Sequence, residues 1–518
     1  MKRLFILLGL VVLLLQACSN SEEQESKAGV EQTSASKDIV KIGWADSGFL
    51  SPFTFGTSGP IGFLRNSYLF DALTWKDDTG VIPWLAKSWE VSEDGFTYTF
   101  QLNEANFHDG EPLTAEDVAF SYEYFQKHPF QWNVDMTKVE KAEVINDYEV
   151  RIQLKEPFSP FITEIAGMLP IIPKHIWSAV KNPLEYRESD ALIGSGPFLL
   201  KHYDEASGHY QFVKNESFFK GEVVIDELQY LNVENRVLSL QKGEINNGMT
   251  FKYDDVAQLE KEGFSVLKSE PTGSAVRIIF NLDHPQLKEK QLRQAIAHAL
   301  NRIDMSQKLT GSKEAMEGSS GIIPPDSDWY NPNVPQYDYD VERAKEMLTA
   351  LGYEEKLELN VLVSSTSKEA ELMQAMLRDI GITLSIQTAE PATFAALMAE
   401  GNFDMAITGH IGLSGDPDFL RLWFSGQASN LYAGKSVFQH EGFTKLAEAQ
   451  LRAQDEEARK KLVDEMQMIL GDELPTLVLY HRPFYHIYDA SVFDGWFNTK
   501  GGIADGIPLV DNKAAFVR

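Results

Sequence analysis

The chain carries a single cysteine in its 518 residues, and Cys18 stands directly behind the apolar run Leu4–Leu15, which follows Lys2 and Arg3. No internal disulfide is available, so whatever folds after it must be held by a hydrophobic core alone. The apolar run is shorter than the roughly 20 residues a bilayer-spanning helix needs, and its start is basic, so residues 1–17 read as a secretory signal. Residues 18–38 contain almost nothing to bury and read as a tether.

Beyond Asp38 there is enough chain for at least two lobes, each with its own core. Composition decides mainly what the chain is not. Forty-seven basic against 76 acidic residues give a net charge of -29. That excludes a nucleic-acid partner, which rewards basic surfaces, and disfavours adhesion to anionic lipid. No later segment is apolar enough to span a membrane.

The patterning is mixed α/β. Phe96–Asn103 and Tyr148–Leu154 alternate with period two and read as strands, as does most of 39–110. Thr114, with Asp117 three residues on, caps a helix through His128. Gly194–Tyr203 restarts strand character, and Leu238–Gly248 reads as a short helix and turn. After Ser274–Pro285, helices alternate with the strands Lys356–Ser365 and Ile382–Thr388, as expected for a sheet covered by helices. One long helix is expected over 441–474, followed by the strand that starts at Thr476. No fixed-period repeat is present.

Two resemblances follow. Leu15-Gln16-Ala17-Cys18 resembles the lipobox of bacterial lipoproteins, which implies cleavage before Cys18 and its lipidation. The segments "LAKSWEVSEDGFTYTFQLNEANFHDGEPLTAEDVAFSYEYF", "GSGPF", "NLDHPQLKEKQLRQAIAHALNRIDM", "YDYDVERAKEMLTALGY" and "DELPTLVLYH", in this order, resemble family 5 of the bacterial extracellular solute-binding proteins, the peptide and nickel receptors of ABC importers. The resemblance implies an α/β, two-lobed periplasmic-binding-protein-like fold (type II) with an inserted subdomain in lobe one. Lobe one would comprise 39–65, 191–271 and 481–518, the insertion 66–190, and lobe two 272–480. It implies capture of a small solute, an oligopeptide or peptide-like molecule, between the lobes. Delivery would be to an ABC permease and ATPase complex, by a lipid-anchored monomer outside the cytoplasm that needs no cofactor.

The segment Ile407–Phe424, "ITGHIGLSGDPDFLRLWF", carries the candidate site. In peptide-binding members of the family a tryptophan lies six residues before the acid of the Asp/Glu-Pro pair, and an aspartate that holds the peptide ammonium lies three before it. Counting back from Asp416, those positions here are His410 and Leu413. Leucine cannot pair an ammonium, and an unpaired buried charge is costly, so either Asp416 or another acid takes that role or the ligand is not an ordinary peptide. His410 is expected to contact a carboxylate, a chelated metal or the backbone. Asp416-Pro417-Asp418 also suits a helix start, with a cap, proline in the first turn and an acid near the N-terminus. Arg277, on the first strand crossing between lobes, calls for a carboxylate from the ligand or from within the protein. Trp423 is expected to pack or to wall the pocket, Tyr485 to lie at the second crossing, and Phe49 and Ser51 on the pocket floor. "FHDGEPLTAEDV" is read as turn and cap chemistry.

Three competing functions stand beside this reading, one of them a sensor or adhesin that uses the same binding fold without transport. A metal-chelate receptor is allowed by His410 and Leu413, but no HxH or HExxH is present to build a protein metal site. An extracellular hydrolase would need a nucleophile with its base or a metal triad, and the chain has no G-x-S-x-G elbow and no spare cysteine.

Overall fold

The computed structural model describes residues 39–518 apart from 45–47, 56–58, 131, 133, 313–315, 354–356, 426–437 and 454. Residues 1–38, with Cys18 and the expected signal and tether, lie outside the described residues.

Two sheets organise the molecule. The first has seven strands, in spatial order Phe198–Asp204, His209–Lys214, Glu227–Leu231, Ile39–Gly43, Asn247–Thr250, Tyr485–Tyr488 and Ser265–Lys268. The second has six, in spatial order Met316–Glu317, Thr476–His481, Ser274–Phe280, Met405–Ile411, Leu357–Val363 and Ile382–Thr388. A four-stranded antiparallel sheet, which includes Thr97–Leu102 and Glu149–Leu154, belongs to the stretch of chain between Ile39–Gly43 and Phe198–Asp204. Along Thr97–Leu102 the residues alternate between partly buried and buried, as period two requires.

Each sheet has its own apolar cluster. One gathers Val40, Tyr68, Phe100, Tyr230 and the C-terminal Phe516. A second gathers Val276, Ile278, Phe280, Val361, Met405 and Leu477. On strand Ser274–Phe280 Val276, Ile278 and Phe280 face this second cluster, whereas Ala275 and Ile279 belong to clusters on the opposite face.

The C-terminal tail returns to the first lobe through a fully buried ion pair. Lys513 Nζ lies 2.7 Å from Asp71, with both side chains 0% exposed. Asp71 also accepts from Trp84 Nε1 at 2.6 Å and from the Ser195 hydroxyl at 2.9 Å. Such a satisfied pair fixes which segments meet more than it adds net stability. The neighbouring Gly194 has the same logic in its backbone: a Cβ there would lie 2.0 Å from the Leu69 carbonyl oxygen.

Two chain crossings join the sheets, at Ser269–Gly273 and at Arg482–Phe484. They are bonded to each other: the Ser269 amide donates to Phe484 O at 2.8 Å, and the Phe484 amide donates to Ser269 Oγ at 2.9 Å. The two crossings are thus tied into one paired connection between the sheets.

Two expectations from the sequence change. The stretch expected to be mostly strand contains the helix Gly59–Leu69, which is buried on nearly every side and so shows no amphipathic period. The expected single long helix is two, Glu441–Arg452 and Glu456–Glu473. Ala453 turns extended, and Asp455 restarts the second helix by accepting from the Ala458 amide at 2.9 Å.

Candidate functional site

Strand Ser274–Phe280 lies between Met405–Ile411 and Thr476–His481, antiparallel to both. The register sets Ala275 opposite His410 and Arg277 opposite Thr408. Directly opposed residues share a face, so Arg277 and His410 project from the same side of the sheet. The short helix Phe419–Phe424 lays Trp423 on that side. Its ring meets the His410 imidazole edge-on at 4.4 Å, and the guanidinium carbon of Arg277 lies 4.3 Å from its centroid. Arg277 is 1% exposed and Trp423 6%. Burial, with the Arg277 charge second, holds the His410 pKa well below its usual value. The imidazole is therefore neutral, with one nitrogen to donate and one to accept.

The loop from Gly412 to Asp418 is clamped at both ends. The amides of Gly412 and Leu413 both donate to Gly273 O at 3.0 Å. Leu413, 1% exposed, belongs to the apolar cluster that contains Phe419, Leu420 and Trp423. At the far end, Arg459 donates to both carboxylate oxygens of Asp416, at 2.7 and 2.5 Å. Arg421 likewise grips Asp418 at 2.7 and 2.6 Å. Gln450 joins the two pairs, donating to Asp418 at 2.6 Å and accepting from Arg459 Nε at 2.8 Å. Paired, hydrogen-bonded charges of this kind hold a loop in one geometry.

The helix start expected at Asp416 falls at Asp418 instead. Asp418 turns its carboxylate to Arg421 and Gln450, and Asp416 Oδ1 accepts from the Asp418 amide at 2.9 Å. Asp416 thus serves the turn before the helix.

The other candidates sit in first-lobe elements. Ser51 is fully buried, its hydroxyl 3.0 Å from that of Thr54. Phe49 is partly buried beneath the Arg187 guanidinium, 5.5 Å from its ring. Tyr485 lies in the seven-stranded sheet, 3% exposed, its hydroxyl 3.3 Å from that of Ser312. Arg277, His410 and Trp423 are thus brought together, with Asp416 at the other end of their loop.

A crevice of about 890 Å³ opens beside the first chain crossing. It is lined by Ser414, Gly415 and Asp416 of the loop, by Lys76 and Thr163 of the first lobe, and by Trp329 of the second. Arg277, His410 and Trp423 are not among its lining residues. Across from the loop, Lys76 Nζ donates to the carbonyls of Gly501, Gly502 and Ala504 at 3.4, 3.3 and 2.7 Å. Among the described residues no group of three or more His, Cys, Asp and Glu side chains is placed to hold a metal ion. Nor is any helix among them long and apolar enough to cross a membrane.

Sequence reasoning missed Arg459 and Gln450, the residues that brace the loop. Nothing in their own neighbourhoods marks them, because each acts on a partner far away in the chain.

Two α/β lobes joined by two paired chain crossings, with a clamped loop and a crevice between them, define a two-lobed binding-protein fold of the periplasmic type. Residues 80–431 match the model of the bacterial extracellular solute-binding proteins, family 5, and the chain belongs to that family. Di/tripeptide-binding protein 2 of Pseudomonas aeruginosa is 27% identical over 77% of this chain and 81% of its own length. The periplasmic binding protein DppA of Helicobacter pylori, solved with the peptide STSA, superposes with a TM-score of 0.72 at 25% identity, covering 87% of this chain and 94% of that one. The substrate-binding protein CtaP of Listeria monocytogenes gives a TM-score of 0.78 at 24% identity, covering 92% and 98%.

Proposed function

We propose that this protein is the solute-capturing component of an ABC import system, that it binds a peptide or peptide-like molecule between its lobes, and that it delivers the molecule unchanged to a membrane permease. Family membership supports the class of function, and the names of its relatives favour peptides. The observation that carries the reading to the site is the Arg277–Trp423–His410 stack beside a loop braced against motion. A fixed cation over an aromatic plane suits a carboxylate, and a neutral imidazole suits a polar backbone group of a peptide. Leu413, buried in apolar surroundings, favours a ligand whose recognition does not start from a free ammonium at that point.

The proposed contacts are Phe49, Ser51, Arg277, His410, Trp423 and Tyr485, with Asp416 shaping the loop. Lobe one is proposed as 39–65, 191–271 and 481–518, with 66–190 inserted, and lobe two as 272–480. Anchoring through lipidated Cys18 and action as a monomer complete the reading.

The test is native mass spectrometry of freshly purified protein, followed by denaturation and identification of what is released. A peptide-like molecule in one-to-one ratio is expected. A released metal chelate would replace the peptide reading, and a cleaved product would replace binding by catalysis.

A further inference from the structure

Arg482 opens the second chain crossing, directly after strand Thr476–His481. Ala275 is flanked by His410 on one side and His481 on the other, so Arg482 leaves the sheet at the same end as His410. Its guanidinium carbon lies 4.0 Å from the centroid of the Phe251 ring, which follows strand Asn247–Thr250 of the other sheet. Phe251 in turn packs on Phe484, with ring centroids 4.3 Å apart. Tyr480, two residues back in the six-stranded sheet, feels the same cation: burial, then Glu369, raise its pKa, and the Arg482 charge opposes them. The Arg482 head group is thus stacked on an element of one sheet and close to the other.

Other buried arginines find acceptors within the protein. Arg293 donates to Leu287 O at 2.6 Å and to Leu474 O at 3.0 Å. Arg302 donates to Gly318 O at 2.7 Å and pairs with Glu317 at 2.7 Å. Arg482 is different. It is partly buried, its Nε is enclosed, and among the described residues its guanidinium has neither a hydrogen-bond acceptor nor a carboxylate partner. Carboxylates on the neighbouring elements are engaged elsewhere. Glu369, on the helix Lys368–Arg378, accepts from the Tyr480 hydroxyl at 2.7 Å and from the Ser367 hydroxyl at 2.9 Å. Glu317, on the strand beside Tyr480, is the partner of Arg302. Asp255 accepts from the Thr250 hydroxyl at 2.9 Å. The main chain does not call for an arginine here either, since Arg482 O only accepts from the Ser274 hydroxyl, which any residue could do.

We propose that Arg482 is an anion-binding residue of the solute site and takes a carboxylate of the captured molecule. The proposal rests on the reading that a peptide-like solute is bound between the lobes. A guanidinium has five donors and does not lose its charge, and enclosed donors without acceptors are costly. Held in plane by an aromatic ring, it matches a carboxylate that accepts two parallel N–H bonds. With the apolar Leu413 where an ammonium-binding acid would stand, recognition turns on the acid end of the solute.

Two measurements on the full chain test this. In the first, native mass spectrometry follows retention of a pool of random tripeptides, offered as free acids and as C-terminal amides. The wild type should retain the acids at least about tenfold better. Arg482→Gln should retain both pools equally, with circular dichroism confirming its fold. A wild type that treats the pools alike, or an acid preference kept in full by Arg482→Gln, would overturn the assignment. In the second, phenylglyoxal modification of Arg482 is followed by peptide mass mapping in acetate, inorganic phosphate or chloride at equal ionic strength. Acetate should slow the modification relative to chloride. Equal rates in acetate and chloride, or slowing by phosphate alone, would overturn the carboxylate. Retention of neither pool, with protection by acetate intact, would remove the peptide reading and leave Arg482 as an anion site.

Discussion

The guanidinium carbon of Arg277 lies 4.3 Å from the centroid of the Trp423 ring, deep enough that Arg277 is only 1% exposed. A planar cation stacked on indole is held in orientation as well as position, which a flexible ammonium would not be. The same ring meets His410 edge-on, and the Arg277 charge helps to keep that imidazole neutral.

Arg277→Lys keeps the charge and loses the plane. Affinity for the solute recovered from wild-type protein should fall at least about tenfold, close to 1.4 kcal/mol, and further in Arg277→Ala. Isothermal titration measures it. Unchanged affinity in both variants would remove Arg277 from the proposed site.

Asp416 and Arg459 form a nearly buried pair, with side chains 11% and 7% exposed. Arg459→Ala leaves that carboxylate without its partner and should cost about 3–5 kcal/mol of stability in chemical denaturation. Removing both residues should cost less than the sum of the two single changes. Direct ligand contact by Asp416 would show differently, as lost affinity at unchanged stability in Asp416→Asn.

Gly415 lies against the first-lobe segment around Asp505. An added Cβ would sit 2.4 Å from Asp505 O and 2.5 Å from its carbonyl carbon. Gly415→Ala should therefore hold the lobes apart. In small-angle scattering its radius of gyration should stay at the open value when solute is added, whereas that of the wild type falls.

Much of the fold was legible locally. The alternation in Thr97–Leu102, the box of Thr114 and Asp117, and the helices after Ser274 each follow from spacing or from a cap within a few residues. The break at Ala453 was not, because an unbroken run of good helix formers hides it. What fixes the break is Asp455 on one side and Ser159, nearly three hundred residues away, on the other. The site divides the same way. Arg277 stood out as a charge in an apolar strand, and His410 and Trp423 as unusual members of one loop. Arg459 carries no such mark in the sequence, and only the fold brings it to Asp416.

Asp511 is 3% exposed, and burial pushes its pKa from 3.8 up to about 7. A carboxyl whose pKa is raised on folding costs nothing below the unfolded value and destabilises increasingly as pH rises through the folded one. Asp511→Asn should therefore melt level with the wild type near pH 4. At pH 8 it should be more stable, by at most about 4 kcal/mol, the free energy of holding that proton so much more firmly in the folded chain. Thermal denaturation across that range reads the difference.

Cys18→Ser should move the protein from the membrane fraction into the medium or periplasm, followed by fractionation and immunoblotting. Retention at the membrane would refute the proposed anchor.

The central claim is that two rigid halves close on a guest molecule and leave its bonds intact. Small-angle scattering of the stripped protein, before and after the released molecule is returned, tests it most directly when the molecule is recovered and weighed afterwards. A smaller radius of gyration on return, with the guest's mass unchanged, is the expected result. A profile that does not change, or a guest returned in pieces, would contradict it.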